Sequence, residues 1–114
     1  MTYSVISAES AKRDVLGAAQ YIEEKLHNPI AADHLLDEAE DAIGSLEEMP
    51  HRHPLVNDEY LASKGIRVLP VRNYLAFYVV RETQKTVVIQ RFLYGKRDWA
   101  AILKSSDVPE DAKP

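Results

Sequence analysis

The spacing of apolar residues changes once along this chain, from a helical period in the first half to a strand-like pattern in the second. Over residues 8–26, and again over 29–49, apolar residues recur every three or four positions, which predicts two amphipathic helices. Ser7 and Asn28 precede these segments, and both residue types cap helices by accepting a hydrogen bond from a free backbone N–H. The short link between the segments predicts an antiparallel helical hairpin.

Shorter segments rich in β-branched and aromatic residues predict four strands. One segment, 3–7, precedes the helices, and three follow them, at 66–71, 74–81 and 86–94. Arg72 and Asn73 predict a tight hairpin turn between two of these strands, because Asn tolerates positive φ. A three-stranded meander needs a helical layer on one face to be stable, so we expect an α+β domain.

The last strand is followed by a change of pattern. Gly95 interrupts the strand, and Asp98 is placed to cap a short helix that continues to Lys104. The remaining residues are polar and include proline, which is typical of a segment without fixed structure. We therefore expect one domain over residues 1–104 and a disordered tail over 105–114.

Composition excludes several classes of protein. The chain of 114 residues has no cysteine, which excludes disulfides and thiolate metal sites and agrees with a reducing cytoplasm. It has no apolar run of about 18 residues that could span a membrane, and no basic stretch followed by an apolar segment, as in a signal peptide. These observations predict a cytoplasmic protein without a membrane partner.

Charge is segregated along the chain, although the net charge is only −4. The segment 9–49 carries eleven acidic and three basic residues, whereas the segment 64–104 carries nine basic and two acidic residues. The second segment could form a cationic surface that meets nucleic acid or an acidic partner. Alternatively, the two halves form an ordinary solvated surface and attract each other.

The sequence lacks the common catalytic motifs: it has no Gly-rich phosphate loop, no H-E-x-x-H and no G-x-S-x-G. Its only histidine cluster is His51-Arg52-His53. Two histidines at this spacing could share a metal ion if they lay on one strand face, but no third ligand is near in sequence. We therefore expect a surface loop here, and neither a metal ion nor a cofactor.

The segment that follows the last strand combines aromatic and cationic residues. Gly95 frees the backbone, so that Lys96 and Arg97 could project together from the rim of the sheet. Arginine offers a forked cationic donor for phosphate or carboxylate, and the neighbouring Tyr94 and Trp99 could stack on bases. Alternatively, the two aromatic residues anchor the core and Arg97 pairs with a helical carboxylate.

The segments GIRVLPVRNYLAFY (65–78) and VVIQRFLYGKRD (87–98) resemble the C-terminal sheet of the RelE/ParE toxin superfamily. The helical hairpin, with Tyr21-Ile22 and its Met49-Pro50 ending, is similar to that family as well, so the resemblance covers residues 3 to about 104. It implies a RelE/ParE-like α+β fold: an N-terminal strand, an antiparallel helical hairpin packed on a small twisted, mainly antiparallel sheet, and a short C-terminal helix. It also implies a cognate antitoxin as partner.

The resemblance implies one of two activities. RelE-like members are ribosome-dependent mRNA endonucleases, in which basic groups stabilise the charge that develops while the RNA 2′-hydroxyl attacks, without a metal ion. An arginine commonly follows the aromatic residue that opens the middle strand; this chain has Leu75 there. Basic residues are also frequent where it has Val68 and Pro70, and a tyrosine where it has Leu103. Only Arg97, in the segment Gly95-Lys96-Arg97, matches the nuclease pattern.

A nuclease would therefore need other cations beside Arg97. Arg67, Arg72 and Arg91 could compensate only if they converge on the same face of the sheet. The catalytic residues of such a nuclease would be Arg97 with Arg67 and Arg91, acting on mRNA at the ribosome.

The segments 65–71 and 74–78 follow the ParE-like pattern better, and ParE-like toxins inhibit DNA gyrase without being nucleases. Our first hypothesis is therefore a plasmid-stabilising toxin that binds gyrase through Lys96, Arg97, Trp99 and Arg72. The second is the ribosome-dependent mRNA endonuclease. The third is a degenerate member that binds its antitoxin without being toxic.

Overall fold

A computed structural model describes residues 2–105 of the chain. In chain order these residues form strand β1 (Ser4–Ser7), helices α1 (Glu9–Lys25), α2 (Pro29–Gly44) and α3 (Glu59–Ser63), strands β2 (Arg67–Val71), β3 (Tyr74–Arg81) and β4 (Thr86–Tyr94), and helix α4 (Trp99–Ser105). The fold is therefore α+β, as expected. The predicted tail lies outside the described residues apart from Ser105, which ends α4, so its disorder stays a prediction.

The two long helices form the expected hairpin. The Asn28 side chain caps α2 by accepting a hydrogen bond from the Ala31 N–H at 3.1 Å, and Pro29 occupies the first helical position. The prediction that Ser7 caps α1 is wrong. Ser7 is the last residue of β1, the capping position is Ala8, and no side chain caps the helix. The Ala8 N–H donates instead to the Ile89 carbonyl, so hydrogen bonding to β4 continues to the residue that precedes the helix.

The four strands form one mixed sheet in the order β1-β4-β3-β2. β1 pairs in parallel with the first half of β4, and the other two pairs are antiparallel. The turn between β2 and β3 has the predicted length, but Arg72 rather than Asn73 adopts positive φ, at 55°. Because Tyr74 pairs with both Val71 and Tyr94, this turn and the end of β4 lie at the same end of the sheet.

Each face of the sheet packs on its own core. On one face α1 and α2 cover a cluster that includes Leu35, Leu46, Tyr78 and Ile89. On the other face α3, α4 and the preceding loop cover Phe77, Leu93 and their neighbours. The short α3 lies in a segment for which no helix or strand was predicted. Asp58 caps it by accepting a hydrogen bond from the Leu61 N–H at 3.0 Å.

The apolar stripe of α1 is narrower than its sequence suggests. Ala11 and Ala19 are buried, whereas Leu16 and Leu26, which share the predicted stripe, are 64% and 57% exposed. Small residues let α1 pack close to the sheet, and the two leucines then lie beside the contact rather than within it. No helix among residues 2–105 is long and apolar enough to cross a membrane.

The path of α1 leaves part of β4 without a neighbouring strand. β1 pairs only with residues 86–89, after which a bulge shifts the register between β3 and β4. Beyond this point α1 runs beside β4, where the Ser10 hydroxyl donates to the Gln90 carbonyl and the Asp14 carboxylate accepts from the Phe92 N–H. These contacts fix a groove between α1 and the last residues of β4.

Candidate functional site

The α1–β4 groove, with a volume of about 730 Å³, opens at the end of the sheet. Tyr74, Phe92 and Tyr94 form its aromatic floor: the rings of Tyr74 and Phe92 stack at 5.2 Å, and the ring of Tyr94 meets Tyr74 edge-on at 5.6 Å. Tyr21, which is 55% exposed, lines the groove from α1. The groove therefore offers aromatic surface to a bound molecule.

The backbone of β4 has unpaired polar groups at this groove. Successive residues of a strand direct their backbone N–H and C=O groups to opposite sides. Phe92 and Tyr94, two residues apart, both direct these groups away from β3. Asp14 satisfies the Phe92 N–H at 3.0 Å, and the Arg97 N–H satisfies the Tyr94 carbonyl at the same distance. Within residues 2–105 the Phe92 carbonyl and the Tyr94 N–H have no partner. The sheet edge is therefore exposed at Tyr94, whereas Phe92 is buried.

The position of Lys96 and Arg97 depends on Gly95. The Gly95 N–H donates to the Asn73 carbonyl at 2.8 Å, and a Cβ at this position would lie 3.2 Å from the same oxygen. The close approach brings the two cations to the rim of the sheet beside the Arg72-Asn73 turn, as predicted. Both side chains are exposed, and neither makes an ion pair or side-chain hydrogen bond in the described part of the chain. Arg97 lines the groove.

Arg72 and Trp99, the other predicted target-binding residues, are engaged within the protein. Arg72 lies at the same end of the sheet, but its guanidinium pairs with both carboxylate oxygens of Glu38 on α2, at 2.6 and 2.9 Å. Hydrogen bonding to Arg72 lowers the pKa of Glu38. Trp99 is half-buried, with its ring 5.2 Å from that of Phe77. Trp99 is thus a core anchor, and its part in target binding stays a prediction.

The arginines proposed for a nuclease are not brought together. Arg67 donates to the His53 and His51 carbonyls at 2.7 and 3.3 Å, and its register partner on β3 is Tyr78. Since the end of β4 lies opposite Tyr74, four residues away along β3, Arg67 is roughly 13 Å along the strand from that end. The convergence that a nuclease would need is therefore absent from this arrangement.

Arg91 is neutralised by α1. Its guanidinium makes two hydrogen bonds with Asp14, at 2.7 and 3.0 Å, and both side chains are less than one-fifth exposed. Hydrogen bonding to Asp14 raises the pKa of Arg91. The residues that differ from the nuclease pattern belong to the core on the second face of the sheet. Val68 and Leu75 pack against this core, and Leu103 is fully buried within it.

The histidine cluster lies apart from the groove. The His51 Nε2 lies 2.7 Å from a Glu82 carboxylate oxygen, and burial, followed by the charge of Arg52, lowers the pKa of His53. Among residues 2–105 no group of three or more histidine, aspartate or glutamate side chains could hold a metal ion. The predicted surface loop is wrong in part, because Pro50–Arg52 form a short 3₁₀ helix that His53 ends.

Sequence reasoning missed the contribution of α1 to the groove. Arg13, Gly17 and Tyr21 are spaced by four residues, which places them on one face of the helix, and all three line the groove. The guanidinium of Arg13 has no partner within the described residues. The spacing was visible in the sequence, but nothing in it indicated that this face meets the end of β4.

The chain matches the profile of a known protein family. The family profile described as the ParE toxin of the type II toxin–antitoxin system, parDE, matches residues 5–99. The chain belongs to the ParE toxin family. The match spans this ParE-family chain from β1 to the start of α4 and thus includes both sides of the groove. No curated protein sequence matches the chain.

Solved structures share the fold of this ParE-family toxin. A chain of the chromosomal ParDE toxin–antitoxin system from P. aeruginosa superimposes with a TM-score of 0.67 at 15% identity, covering 82% of this chain and 96% of that one. A chain of a RelBE toxin–antitoxin complex from Mycobacterium tuberculosis gives a TM-score of 0.56 at 22% identity, covering 82% and 99%. At these identities the likeness shows the fold alone.

Proposed function

We propose that this ParE-family toxin acts in the cytoplasm as a non-enzymatic inhibitor of DNA gyrase, which it binds through the exposed cations at the end of β4. The proposal rests on the difference between Arg97 and the other arginines that were predicted as site residues. Arg97 and Lys96 are exposed and unpaired within residues 2–105, whereas Arg67, Arg72 and Arg91 are held by carbonyls or carboxylates. A pair of exposed cations beside aromatic residues suits an anchor in a protein interface.

The same observation weighs against phosphoryl-transfer chemistry. Such chemistry stabilises the charge of its transition state with several converging donors, and one missing donor costs about 10²–10³ in rate. In this chain Arg67 and Arg91 are engaged elsewhere, and hydrophobic residues occupy the other expected cationic positions. The nuclease hypothesis retains one supporting observation, the exposed Arg97, and is therefore tested beside the first.

A cognate antitoxin is the second proposed partner. Support comes from family membership, and from the solved ParDE and RelBE structures, which are toxin–antitoxin systems. The antitoxin would neutralise the toxin by covering its exposed apolar grooves with an added helix or strand. We further propose that the pair acts as a plasmid-stabilisation module.

Two assays on the purified toxin test the proposal together. In a gyrase supercoiling assay the toxin is expected to inhibit supercoiling or to trap cleaved DNA. In a ribosome-programmed cleavage assay the mRNA is expected to stay intact. Cleaved mRNA with active gyrase would replace the proposal with the endonuclease hypothesis. Activity in neither assay, together with normal growth at confirmed high expression, would favour a degenerate member that only binds its antitoxin.

A further inference from the structure

We propose that a second copy of this chain pairs with the outer edge of β1, so that the two copies form one continuous sheet around a two-fold axis at Ile6. In the strand order β1-β4-β3-β2 this edge is one of the two outer edges of the sheet, and no residue of β1 lines the α1–β4 groove. The inference goes beyond the proposed function and does not depend on it.

The outer edge of β1 has four backbone groups without a partner. The Ala8 N–H donates to the Ile89 carbonyl at 2.8 Å, and successive residues of a strand direct their backbone groups to opposite sides. Val5 and Ser7 therefore direct their N–H and C=O groups away from β4, and none of these groups is bonded within residues 2–105. Such an edge is a template for another strand.

The opposite edge of the sheet, on β2, is protected. Leu55 forms a bridge with Arg67, and the Val68 N–H donates to the Pro54 carbonyl at 3.1 Å, so the preceding loop covers the start of this edge. Pro70, two residues after Val68 on the same side of the strand, has no N–H to offer. β1 has no proline and no charged side chain, and is therefore the edge at which a strand can add.

The free groups of β1 fix the register of the pairing. With the axis at Ile6, Val5 of each copy lies opposite Ser7 of the other copy, and each pair exchanges two N–H···O=C bonds, which satisfies all four groups on both copies. An axis at Val5 would place Ser7 opposite Tyr3, whose N–H already donates to the Glu47 carbonyl at 2.9 Å. The pairing is therefore antiparallel and uses the same surface on both copies.

The pairing covers apolar surface on both faces of the sheet. Val5 packs in the core beneath α1 and α2, so Ile6 lies on the other face, where it is 54% exposed. The two Ile6 residues would face each other across the axis and pack together. On the helical face, a groove of about 530 Å³ runs along the outer edge of β1 and is lined by Leu36, Ile43 and Leu16, which is 64% exposed. We call it the β1 groove.

A second copy also brings a complementary charge to Glu47. This exposed carboxylate lines the β1 groove and has no side-chain partner within the described residues. Glu47 binds the Tyr3 N–H, and with the axis at Ile6 the start of α1 of the second copy lies opposite Tyr3. No side chain caps α1, so its first N–H groups present the positive end of the helix dipole, and the charge of Glu9 in this turn is paired with Lys12 at 3.5 Å.

This contact with Glu47 distinguishes a second copy from other partners. Any extended peptide could satisfy the free backbone groups of β1. A second copy satisfies them and at the same time places an uncapped helix N-terminus beside Glu47, twice in each dimer because of the two-fold symmetry.

The first experiment locates the axis by cross-linking. The chain has no cysteine, and opposed residues of a non-hydrogen-bonded pair have Cα atoms about 4.5 Å apart, which is within the range of a disulfide. Under mild oxidation at micromolar concentration, full-length I6C should form a covalent dimer more than about tenfold faster than L26C. Leu26 is the matched control, because it is 57% exposed and lies just beyond the other end of α1. Equal rates would overturn the proposal.

The second experiment measures reversible association by sedimentation equilibrium, up to millimolar concentration of the full-length toxin alone. The wild type should form dimers, and S7P should raise their dissociation constant at least about tenfold, because the Ser7 N–H is lost twice in each dimer. This N–H has no partner within residues 2–105, so the monomer should remain folded. S7A keeps the N–H and is the control. A monomeric wild type, or S7P that associates as tightly as S7A, would overturn the proposal.

The same measurement tests the contact of Glu47. E47Q should raise the dissociation constant of the dimer by about threefold or more, because a carboxylate at a helix N-terminus is stabilising and the contact occurs twice. E48Q is the control, since Glu48 is an exposed neighbour that does not line the β1 groove. Equal association of E47Q and E48Q would contradict the placement of the second copy.

Discussion

Arg97 differs from Arg67, Arg72 and Arg91 in what surrounds its guanidinium group. The other three each make two hydrogen bonds to carbonyl or carboxylate oxygens of the same chain, at distances of 2.6 to 3.3 Å. Arg97 has no such partner within residues 2–105. One residue type thus serves two purposes here: three arginines hold elements together, and the fourth is available to a partner.

Tyr78 provides a test of the core at the level of one side chain. Its hydroxyl donates to the Pro50 carbonyl at 2.6 Å in the buried core, and burial raises its pKa to about 12. The phenol is therefore neutral in the fold well above pH 10, and its contribution to stability is present below the unfolded pKa and lost as pH rises towards 12. In a spectrophotometric titration Tyr78 should ionise last, after Tyr74, whose pKa is also raised by burial.

The variant Y78F checks this assignment. It should remove the late-titrating step and lower the free energy of unfolding by about 1–3 kcal/mol, because the buried Pro50 carbonyl loses its partner. Y60F is the control, since Tyr60 is 55% exposed. A late step that persists in Y78F would assign it to another tyrosine.

At the level of elements, Asp14 joins α1 to β4 where no strand covers the sheet edge. Its carboxylate binds the Arg91 side chain and the Phe92 N–H. In D14A, Arg91 would keep a mostly buried charge without a partner. We expect a loss of about 2–3 kcal/mol in the free energy of unfolding, measured by urea denaturation.

Asp41, an exposed carboxylate on α2, provides the matched control. D41A should change the free energy of unfolding by less than about 0.5 kcal/mol. If D14A were as mild as D41A, Asp14 would not hold α1 against the sheet.

The pair between Glu38 and Arg72 gives the contact between α2 and the β2–β3 turn a dependence on pH. The pKa of Glu38 is lowered in the fold by its hydrogen bond to Arg72, so the folded state binds fewer protons than the unfolded state near the ordinary pKa. The stabilisation is therefore present above pH 4.5 and is lost as pH falls through the lower, folded value. Urea midpoints measured across this range should decline less in E38Q than in the wild type.

Sequence reasoning predicted the elements whose pattern is local. The three C-terminal strands and the α4 cap at Asp98 follow from residue spacing, and the Asp98 carboxylate accepts from the Ala101 N–H as expected. Ser7 failed as a cap because its backbone is used by β4, which lies about 80 residues later in the chain. The expectation that Leu16 and Leu26 are buried was wrong, because the periodicity of a helix indicates its apolar face but not how much of that face is in contact with the rest of the protein.

The candidate site was predicted in part for the same reason. Lys96 and Arg97 belong to one short segment, and Gly95 indicated their projection from the sheet. The roles of Arg13 and of the Asp14–Arg91 pair depend on where α1 meets β4, which no local pattern contains. Ion pairs between residues that are distant in sequence decide which cations remain for a partner. That Arg97 is one of them could therefore be learned only from the structure.

At the level of the whole molecule, some cations of the basic half are paired with acidic residues of the helices, and others remain exposed. Glu38 and Asp14 on the helices neutralise Arg72 and Arg91, as the attraction between the two halves predicted. Lys96 and Arg97 remain exposed at one end of the sheet, as the alternative predicted. Their charge makes binding of an acidic partner dependent on ionic strength, because exposed charges are screened by salt.

If exposed Arg97 anchors the contact with gyrase, its removal should weaken the inhibition of supercoiling. Supercoiling by purified gyrase is measured against the concentration of wild-type toxin, of R97A, and of K12A, which removes an equal charge from an exposed surface pair on α1. R97A should need more than about tenfold higher concentration for the same inhibition, because an interface arginine contributes a large share of binding, whereas K12A should match the wild type. Equal inhibition by R97A and the wild type, with both folded, would show that Arg97 is not part of the contact.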